Sequence, residues 1–355
     1  MTNLGTLHSD FGVSPWLDNL SREIIQNGRL DEYISQGIRG ITSNPSIFEK
    51  AFQSGFYNEA INILKHQSKS NEDIYWQLAI EDIRSACDKL LPVYESSNHI
   101  DGFVSLEVSP ALARDGNATT EQALDLAVRV ARPNLMIKIP ATEECLPSIA
   151  EVLANGIHVN VTLIFSLHRY LQVINAYMSG LEKSANPSAI RSVASFFVSR
   201  VDSAVDPLLA PDSPLKGTAA VAQAQAAYGI YLQSFNENAE RWQALTQRGA
   251  IPQRALWAST STKDSSFPDL KYVNGLLARN SVNTLPDITI DAILDHADFL
   301  QQRSLNAEDI EIAHESLEAL ASAGINMQEI SSQLEKEGVQ KFQDAFSSML
   351  DSIKS

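Results

Sequence analysis

The stretch NLMIKIPATEE, residues 134–144, places a lysine inside a run that otherwise has the composition of a buried strand. Leu135, Ile137 and Ile139 alternate along this run, and Lys138 lies between the last two. Successive side chains of a strand point to opposite faces, so Lys138 faces away from these three aliphatic residues. A charged amine in an apolar interior costs several kcal/mol unless it is paired or neutral. Lys138 therefore either reaches solvent or takes part in chemistry.

Seven further runs have the composition of strands, and longer amphipathic stretches such as residues 21–37 separate them. Together with residues 135–140, the strand runs are residues 13–19, 38–44, 102–108, 158–165, 192–200, 254–260 and 282–287. Alternating strands and helices favour parallel βαβ units, and eight parallel strands are the number that closes a barrel. We expect an α/β fold, a single (β/α)8 TIM barrel domain over residues 1–355. A helical extension from about residue 300 is expected to pack on the outside of the barrel or over its mouth.

The composition argues against several classes of protein. Lys and Arg number 27 and Asp and Glu 43, which gives a formal net charge of −16. This charge argues against a nucleic-acid partner, and an anionic substrate would need a local cluster of Arg or Lys. The sequence lacks a run of the roughly 18 apolar residues that a membrane span needs, and residues 1–16 lack the pattern of a signal peptide. With only Cys87 and Cys145, a disulfide framework is not expected, and we predict a cytoplasmic protein.

The alternation of side chains predicts a polar interior at one end of the barrel. In the third, fourth and fifth runs, the aliphatic residues share one face and polar residues occupy the other. Barrel enzymes place their chemistry at the C-terminal ends of the strands. The polar residues expected there are Glu107, Lys138, Asn160 and Thr162, joined by Asp18 and Asn44 at the ends of the first two runs.

An interior lysine beside a carboxylate suits Schiff-base chemistry. A desolvated amine loses its proton more readily and can then attack a ketone to form an imine. A second carboxylate that removes a proton from a substrate hydroxyl would allow cleavage of a carbon–carbon bond. The alternative is that Lys138 and Glu107 form a structural ion pair that fills one layer of the barrel.

Five runs, in this order, resemble the transaldolase family in its longer bacterial and plant-like form. They are GITSNPSIFEKAF (40–52), DGFVSLEVSPALARD (101–115), LMIKIPAT (135–142), GIHVNVTLIFS (156–166) and SFFVSRVD (195–202). The resemblance covers most of the chain from residue 13 to about residue 290. It implies a single (β/α)8 barrel that needs no metal and no organic cofactor.

The same resemblance implies an enzyme that moves a three-carbon dihydroxyacetone unit between sugar phosphates. The implied donors are sedoheptulose 7-phosphate and fructose 6-phosphate, and the implied acceptors are glyceraldehyde 3-phosphate and erythrose 4-phosphate. This reaction is a step of the non-oxidative pentose phosphate pathway. Sugar phosphates are therefore the expected partners, without a membrane or nucleic acid, and the protein is expected to be a monomer or a homodimer.

The family roles can be carried over to four catalytic candidates. Lys138 resembles the Schiff-base lysine. Glu107 resembles the carboxylate that moves protons during imine formation, together with a water near Thr162. Asp18 resembles the acid/base that deprotonates the C4 hydroxyl and so cleaves the C3–C4 bond. An ordinary aspartate near a helix N-terminus is the alternative for Asp18.

The resemblance also implies ligands for the bound sugar. Asn44 and Asn160 resemble the amides that hold the hydroxyls of the three-carbon unit. Their alternatives are a turn residue before a proline and a satisfied barrel amide. Ser195 and Phe197 share strand parity and are expected to face inward, as they do in the family.

Arg200 is the first candidate for the substrate phosphate. Its parity is opposite to that of Phe197, so it must lie beyond the regular strand to reach the mouth. A guanidinium suits a bidentate contact with phosphate, and a surface ion pair with Asp202 is the alternative. Many transaldolases have an arginine in an Ala-Ser-Phe-Arg run on the seventh strand, whereas this chain has WASTSTKD at residues 257–264. Within that run, Ser259 and Lys263 are the candidates, and lysine lacks the planar fork of arginine.

Two other functions remain open at this stage. An aldolase of the same superfamily would use the same lysine but release free dihydroxyacetone instead of passing it to an acceptor. A non-catalytic relative would act as a scaffold. The unpaired interior amine expected at Lys138 counts against a scaffold, because a scaffold has no need for it.

Overall fold

The computed structural model describes residues 2–67 and 69–354. Within these residues, eight parallel strands close a barrel in the order β1 to β8. The strands are β1 Val13–Leu17, β2 Gly40–Thr42, β3 Phe103–Glu107, β4 Leu135–Pro140, β5 His158–Ile164, β6 Ser192–Phe197, β7 Arg254–Ala258 and β8 Ser281–Leu285. Each strand overlaps one of the predicted runs, so the predicted (β/α)8 barrel is confirmed. The assignment of the whole chain to one domain stays a prediction.

Helices follow the strands and surround the barrel. The α-helices are α1 Asn3–Ser9, α2 Arg22–Gln26, α3 Arg29–Gln36, α4 Pro45–Gln53, α5 Asn58–Lys65, α6 Asn71–Ser96, α7 Gly116–Val130, α8 Leu146–Ala154, α9 Leu167–Lys183, α10 Ser199–Val205, α11 Ala219–Ser234, α12 Glu240–Thr246, α13 Lys271–Asn274, α14 Asp287–His296, α15 Ala307–Ser322 and α16 Met327–Lys354. Short 3₁₀ turns lie at Pro110–Leu112, Glu143–Cys145, Pro187–Ala189 and Asp206–Leu208. In the described part of the chain, the helices are all too short or too polar to cross a membrane.

The amphipathic stretch 21–37 forms two helices instead of one. Helix α2 ends before Asn27, and α3 begins after Gly28. Gly28 has φ = 84°, a left-handed conformation that glycine adopts without steric cost. Each helix has buried apolar residues, Ile24 in α2 and Leu30 and Tyr33 in α3.

The register of β3, β4 and β5 places the predicted polar residues in one layer. Glu107 pairs in register with Lys138, and Lys138 pairs with Asn160. The simple alternation ends near the mouth, because the register between β5 and β6 shifts after Val161 and Leu163 has φ = 60°. Leu163 belongs to the aliphatic face predicted for the fifth run, which is expected to meet the surrounding helices, but it packs against Gly338 of α16 at the mouth.

The C-terminal extension adopts both predicted positions. Helix α15 packs on α11 outside the barrel, whereas α16 packs on α4 and α10 at the C-terminal ends of the strands. Ser331 of α16 donates a hydrogen bond to the carbonyl of Phe165, just beyond β5, at 2.7 Å. The last helix therefore covers part of the mouth.

A buried ion cluster closes the opposite end of the barrel. Asp101 is 1% exposed, and its carboxylate accepts hydrogen bonds from Arg39 at 2.7 Å and from Arg254 at 2.9 Å. Ser14 donates to the same carboxylate at 2.9 Å and Trp16 at 3.3 Å. Burial alone would raise the pKa of Asp101, but the two arginines outweigh it and lower that pKa to about 2. Three charges at the beginnings of β2, β3 and β7 and two neutral donors of β1 are thus tied together.

Asp101→Asn is expected to lower the free energy of unfolding by about 3 kcal/mol at pH 7, because two arginines would lose their shared anion. Urea denaturation measures this change. The matched control is Asp125→Asn, which breaks an exposed pair with Arg129 and is expected to cost at most about 0.5 kcal/mol.

The same measurement has an expected pH dependence. The folded-state pKa of Asp101 lies below its ordinary value of 3.8, so its stabilisation is complete above pH 4 and is lost as the pH falls toward 2. The difference between wild type and Asp101→Asn should therefore shrink over this range. A difference that stays constant from pH 4 to pH 2 would contradict the assigned charge cluster.

Candidate active site

Lys138 is buried in the barrel interior and has two polar neighbours. It is 4% exposed, and its Nζ donates a hydrogen bond to the carbonyl of Ser43 at 2.9 Å. Its Nζ also lies 3.1 Å from Oε2 of Glu107. This oxygen has no aligned hydrogen-bond partner among the described residues, so the contact is an ion pair and not a well-formed hydrogen bond. Lys138 therefore does not reach solvent along the barrel wall, and its amine faces a carboxylate.

Asp18 follows β1 directly and lies at the same end of the barrel. Its Oδ1 accepts a hydrogen bond from the hydroxyl of Thr42 at 2.8 Å, and this hydroxyl lies 2.5 Å from that of Thr284. The N-cap of helix α2 is Ser21. Asp18 lies three residues before this cap and does not itself cap the helix, and its acid/base role stays a prediction.

Burial raises the pKa of both carboxyl groups. For Glu107, burial is the largest cause, and the Lys138 charge opposes it only in part, while the Asp18 charge adds to the rise. For Asp18, burial is again the largest cause, and Lys138 and the hydrogen bond from Thr42 oppose it. Each group consequently accepts a proton more readily than an exposed carboxylate does.

Two of the remaining inward residues bind each other. Ser195 donates a hydrogen bond to Oδ1 of Asn160 at 2.7 Å, and the Asn160 amide donates to the hydroxyl of Ser105 at 3.0 Å. Asn160 is fully buried and lies behind Ser195. Thr162 is also buried, and its hydroxyl has no hydrogen-bond partner among the described residues. A substrate hydroxyl or a water could therefore bind Thr162 without displacing a protein contact.

Most of the predicted residues line one cavity, whose volume is about 270 Å³. They are Asp18, Asn44, Lys138, Thr162, Ser195, Phe197, Arg200, Ser259 and Lys263. Glu107 and Asn160 lie behind this lining and contact it through Lys138 and Ser195. A larger groove, of about 620 Å³, lies near Gln223 and Met327 and contains none of the predicted residues. The smaller cavity is the candidate active site because it joins the reactive groups.

Asn44 has a structural purpose at this cavity, since it caps helix α4. Its side-chain oxygen accepts a hydrogen bond from the backbone N–H of Ile47 at 3.1 Å, which makes it the N-cap of α4. Pro45 occupies the first helical position, where its missing N–H costs nothing. The cap fixes the direction of the Asn44 side chain at the cavity wall. Its contact with a substrate hydroxyl stays a prediction, as does that of Asn160.

Arg200 lies at the mouth, beyond the regular strand as predicted. Strand β6 ends at Phe197, and Arg200 belongs to the first turn of α10. Its guanidinium carbon lies 5.1 Å from the centre of the Phe197 ring. Asp202 does not pair with it, because Asp202 binds Lys271 at 2.8 Å. In the described chain, no carboxylate oxygen lies within 4 Å of the Arg200 guanidinium, so the surface ion pair with Asp202 is wrong.

The seventh strand contributes weaker candidates. Ser259 has φ = 59°, a conformation that non-glycine residues seldom adopt, and its hydroxyl lies 3.1 Å from that of Ser199. Lys263 lies at the mouth and donates a hydrogen bond to the hydroxyl of Ser261 at 2.7 Å. Both residues line the cavity. Their contact with a phosphate stays a prediction.

Comparison with known proteins identifies the family. A family model described as "Transaldolase/Fructose-6-phosphate aldolase" matches residues 15–353. The chain belongs to this family. It is 46% identical to a "Transaldolase" of Kocuria rhizophila over 98% of this chain and 96% of that protein, and 46% identical to one of Thermobifida fusca over 97% and 96%. A "Transaldolase" of Trichodesmium erythraeum is 43% identical over 97% and 95%. The resemblance seen in the five sequence runs is confirmed.

The structure also places residues in the cavity of this transaldolase-family protein that sequence analysis did not select. The polar, charged and aromatic ones are Thr42, Ser46, Lys50, Ser261, Thr284, Lys341 and Phe342. Thr42 ends β2 and could have been found from its position beside Asn44. Lys341 and Phe342 belong to α16, whose amphipathic pattern does not reveal which element it covers. The Phe342 ring centre lies 5.8 Å from Nζ of Lys138.

Phe342→Ala is expected to lower the free energy of unfolding by about 3 kcal/mol, because the ring is 3% exposed and its removal leaves a cavity at the mouth. Phe342→Leu should cost less than about 1.5 kcal/mol. Guanidinium denaturation measures both, with the exposed Ser347→Ala on the same helix as control. An alanine variant within about 0.5 kcal/mol of wild type would show that this ring does not hold α16 in place.

Proposed function

We propose that this enzyme transfers a dihydroxyacetone unit from a ketose phosphate to an aldose phosphate through a Schiff base on Lys138. The observation that supports this most is the buried amine of Lys138 beside two carboxyl groups of raised pKa, the buried Glu107 and the half-buried Asp18. Cations at the mouth of that cavity, including Arg200, suit a substrate phosphate. Membership of the transaldolase family agrees with this reaction.

The first step would form the imine. Nζ of Lys138, as the neutral amine, attacks the C2 carbonyl of the ketose to give a carbinolamine. Loss of the C2 oxygen as water requires one proton, which Glu107 supplies directly or through a water bound to Thr162. The raised pKa of Glu107 and the unpartnered Thr162 hydroxyl support this assignment. Glu107 recovers its proton when water later hydrolyses the imine.

The second step would cleave the C3–C4 bond. Asp18 removes the proton of the C4 hydroxyl, the C4 oxygen becomes a carbonyl, and the electrons of the broken bond enter the iminium. The product aldose phosphate leaves, and an enamine of three carbons remains on Lys138. The enamine carbon then attacks the carbonyl carbon of an acceptor aldehyde and forms a new carbon–carbon bond. Asp18 returns its proton to the former carbonyl oxygen, which becomes a hydroxyl. The hydrogen bond from Thr42 at 2.8 Å holds the Asp18 carboxylate in one orientation.

The ligands of the sugar follow from the same arrangement. Asn44 and Ser195 line the cavity beside Lys138 and can bind hydroxyls, with Asn160 holding Ser195 from behind. Arg200 would bind the distal phosphate. Sedoheptulose 7-phosphate and fructose 6-phosphate are the proposed donors, with glyceraldehyde 3-phosphate and erythrose 4-phosphate as acceptors. We place this reaction in the cytoplasm, and a monomer or homodimer stays a prediction.

Borohydride reduction in the presence of fructose 6-phosphate is expected to attach a substrate-derived adduct to the Lys138 peptide, because only an imine is reduced to a stable bond. Intact mass and peptide mapping measure this. Lys138→Met should give no adduct and lose transfer while it keeps its fold by circular dichroism. Lys336→Met changes an exposed lysine of α16 and is expected to behave as wild type.

Absence of an adduct on the wild type with fructose 6-phosphate and with sedoheptulose 7-phosphate would overturn the proposed reaction and favour a scaffold. When the adduct forms, adding erythrose 4-phosphate separates the remaining alternatives. Transfer to the added aldose supports a transaldolase. Release of free dihydroxyacetone at the same rate with and without it would support the aldolase, which the family description also includes.

Asp18→Asn is expected to form the imine as wild type does but to cleave the donor at least about a hundredfold more slowly, because the amide cannot take the C4 proton. Rapid-quench measurement of released aldose phosphate, beside borohydride trapping, tests this. Since the carboxylate is the active form and its pKa is raised, wild-type kcat/KM should fall as the pH drops, with a midpoint above 3.8. Normal cleavage by Asp18→Asn would assign the proton transfer to another group.

A further inference from the structure

Helix α16 holds its position over the mouth through contacts that Lys341 does not make. The side-chain amide of Gln343 donates a hydrogen bond to the carbonyl of Pro110 at 3.2 Å. The ring of Phe346 meets that of Tyr75 edge-on, with 5.2 Å between ring centres. Lys341 is exposed at the rim, and it lines the same cavity as the reactive groups. Its location is therefore set by packing that it does not itself provide.

Lys341 is one of four cations that line this cavity in addition to Lys138. The others are Lys50 of α4, Arg200 of α10 and Lys263 of the segment after β7. Within residues 2–67 and 69–354, none of these four cations has a carboxylate oxygen within 4 Å. The chain has 43 acidic residues against 27 basic ones, so a cluster of cations without ion pairs is not the arrangement expected by chance.

The cations of the mouth repel one another. Burial is the largest cause of the lowered pKa of Lys341, and the charges of Arg200, Lys263 and Lys50 lower it further. Lys263 shows the same effect from burial, Arg200 and Lys50, which Asp18 only partly opposes. An anion placed among these groups would remove the repulsion and would gain attraction to each of them.

We propose that Lys341 binds the substrate phosphate from the C-terminal helix and so determines the preference for phosphorylated sugars. This inference rests on the proposed function and extends it, since Lys263 is the only cation of residues 257–264. A lysine is a point charge and cannot form the two parallel hydrogen bonds of a guanidinium. A second lysine at the same rim adds a further positive charge and further hydrogen-bond donors for the phosphate.

Phosphate is the chemistry that this rim fits best. Sugar hydroxyls are neutral and would bind near Lys138, Asn44 and Ser195 deeper in the cavity. A phosphate dianion carries the charge that several separated cations can share. Because Lys341 and Lys263 reach the rim from different elements, they can contact different oxygens while Arg200 holds the remaining ones.

The test compares Lys341→Gln with Lys341→Arg and with Lys336→Gln, an exposed lysine of the same helix that does not line the cavity. We expect Lys341→Gln to raise KM for fructose 6-phosphate about tenfold, with kcat within about twofold of wild type. The dissociation constant of inorganic phosphate, measured by calorimetry, should rise by the same factor. Lys341→Arg should restore both values to within about threefold, and Lys336→Gln should match wild type.

Unchanged KM and phosphate affinity in Lys341→Gln would overturn the proposal, as would an equal effect of Lys336→Gln. A fall in kcat at unchanged KM would also overturn it and would assign Lys341 to closure of the mouth. The borohydride adduct with unphosphorylated dihydroxyacetone should be the same in Lys341→Gln and wild type. If the wild type forms no adduct with any ketose, the Schiff-base function fails, whereas the phosphate affinities still decide the role of Lys341.

Discussion

The ion pair between Lys138 and Glu107 is the constraint on which the arrangement of the mouth depends. Both groups are nearly inaccessible to solvent, and only 3.1 Å separates the two charged atoms. Taking either charge out of water alone would cost several kcal/mol, so each needs the other in a fixed position. The parallel register of β3 and β4 supplies that position, because it sets Glu107 directly beside Lys138. The reactive amine is thus held by the same backbone pairing that closes the barrel.

A buried carboxyl group lies at each end of the barrel, and the pKa values of the two groups are shifted in opposite directions. At the N-terminal end, Asp101 has two arginines and two further donors, and its pKa is far below the ordinary value. At the C-terminal end, Glu107 has one amine and an oxygen without an aligned partner, and its pKa is raised. The first arrangement saturates the carboxylate and favours stability. The second leaves it able to exchange a proton, which is what catalysis requires.

Much of this arrangement followed from sequence alone, because it depends on local regularities. The period of two along β3 and β4 was enough to place Glu107 and Lys138 on the inner face. The same period failed at Leu163, where a left-handed residue and a shift of register near the end of β5 turn the chain. Sequence periodicity contains no information about such a turn. Asn160 faces inward as predicted, but its place behind Ser195 depends on how far each side chain extends into the cavity.

The contributions of α16 could not be predicted for a different physical reason. The sequence of an amphipathic helix shows which of its sides is apolar but not which surface that side will cover. Helix α16 lines the mouth with Phe342 and packs on Tyr75 of α6 with Phe346. The position of Lys341 at the mouth follows from this tertiary packing, and the residues next to it in the sequence do not reveal it.

The negative net charge of the chain makes the position of Lys341 important for binding an anion. A chain with a net charge of −16 repels anions at long range, and at physiological ionic strength exposed charges are screened beyond about 8 Å. Attraction of an anionic substrate must therefore come from cations within that distance of the cavity. The four cations of the mouth come from α4, α10, the segment after β7 and α16, which only the folded chain brings together. Tertiary packing therefore creates a positively charged site on a negatively charged protein. Helix α16 both covers this site and supplies one of its charges, that of Lys341.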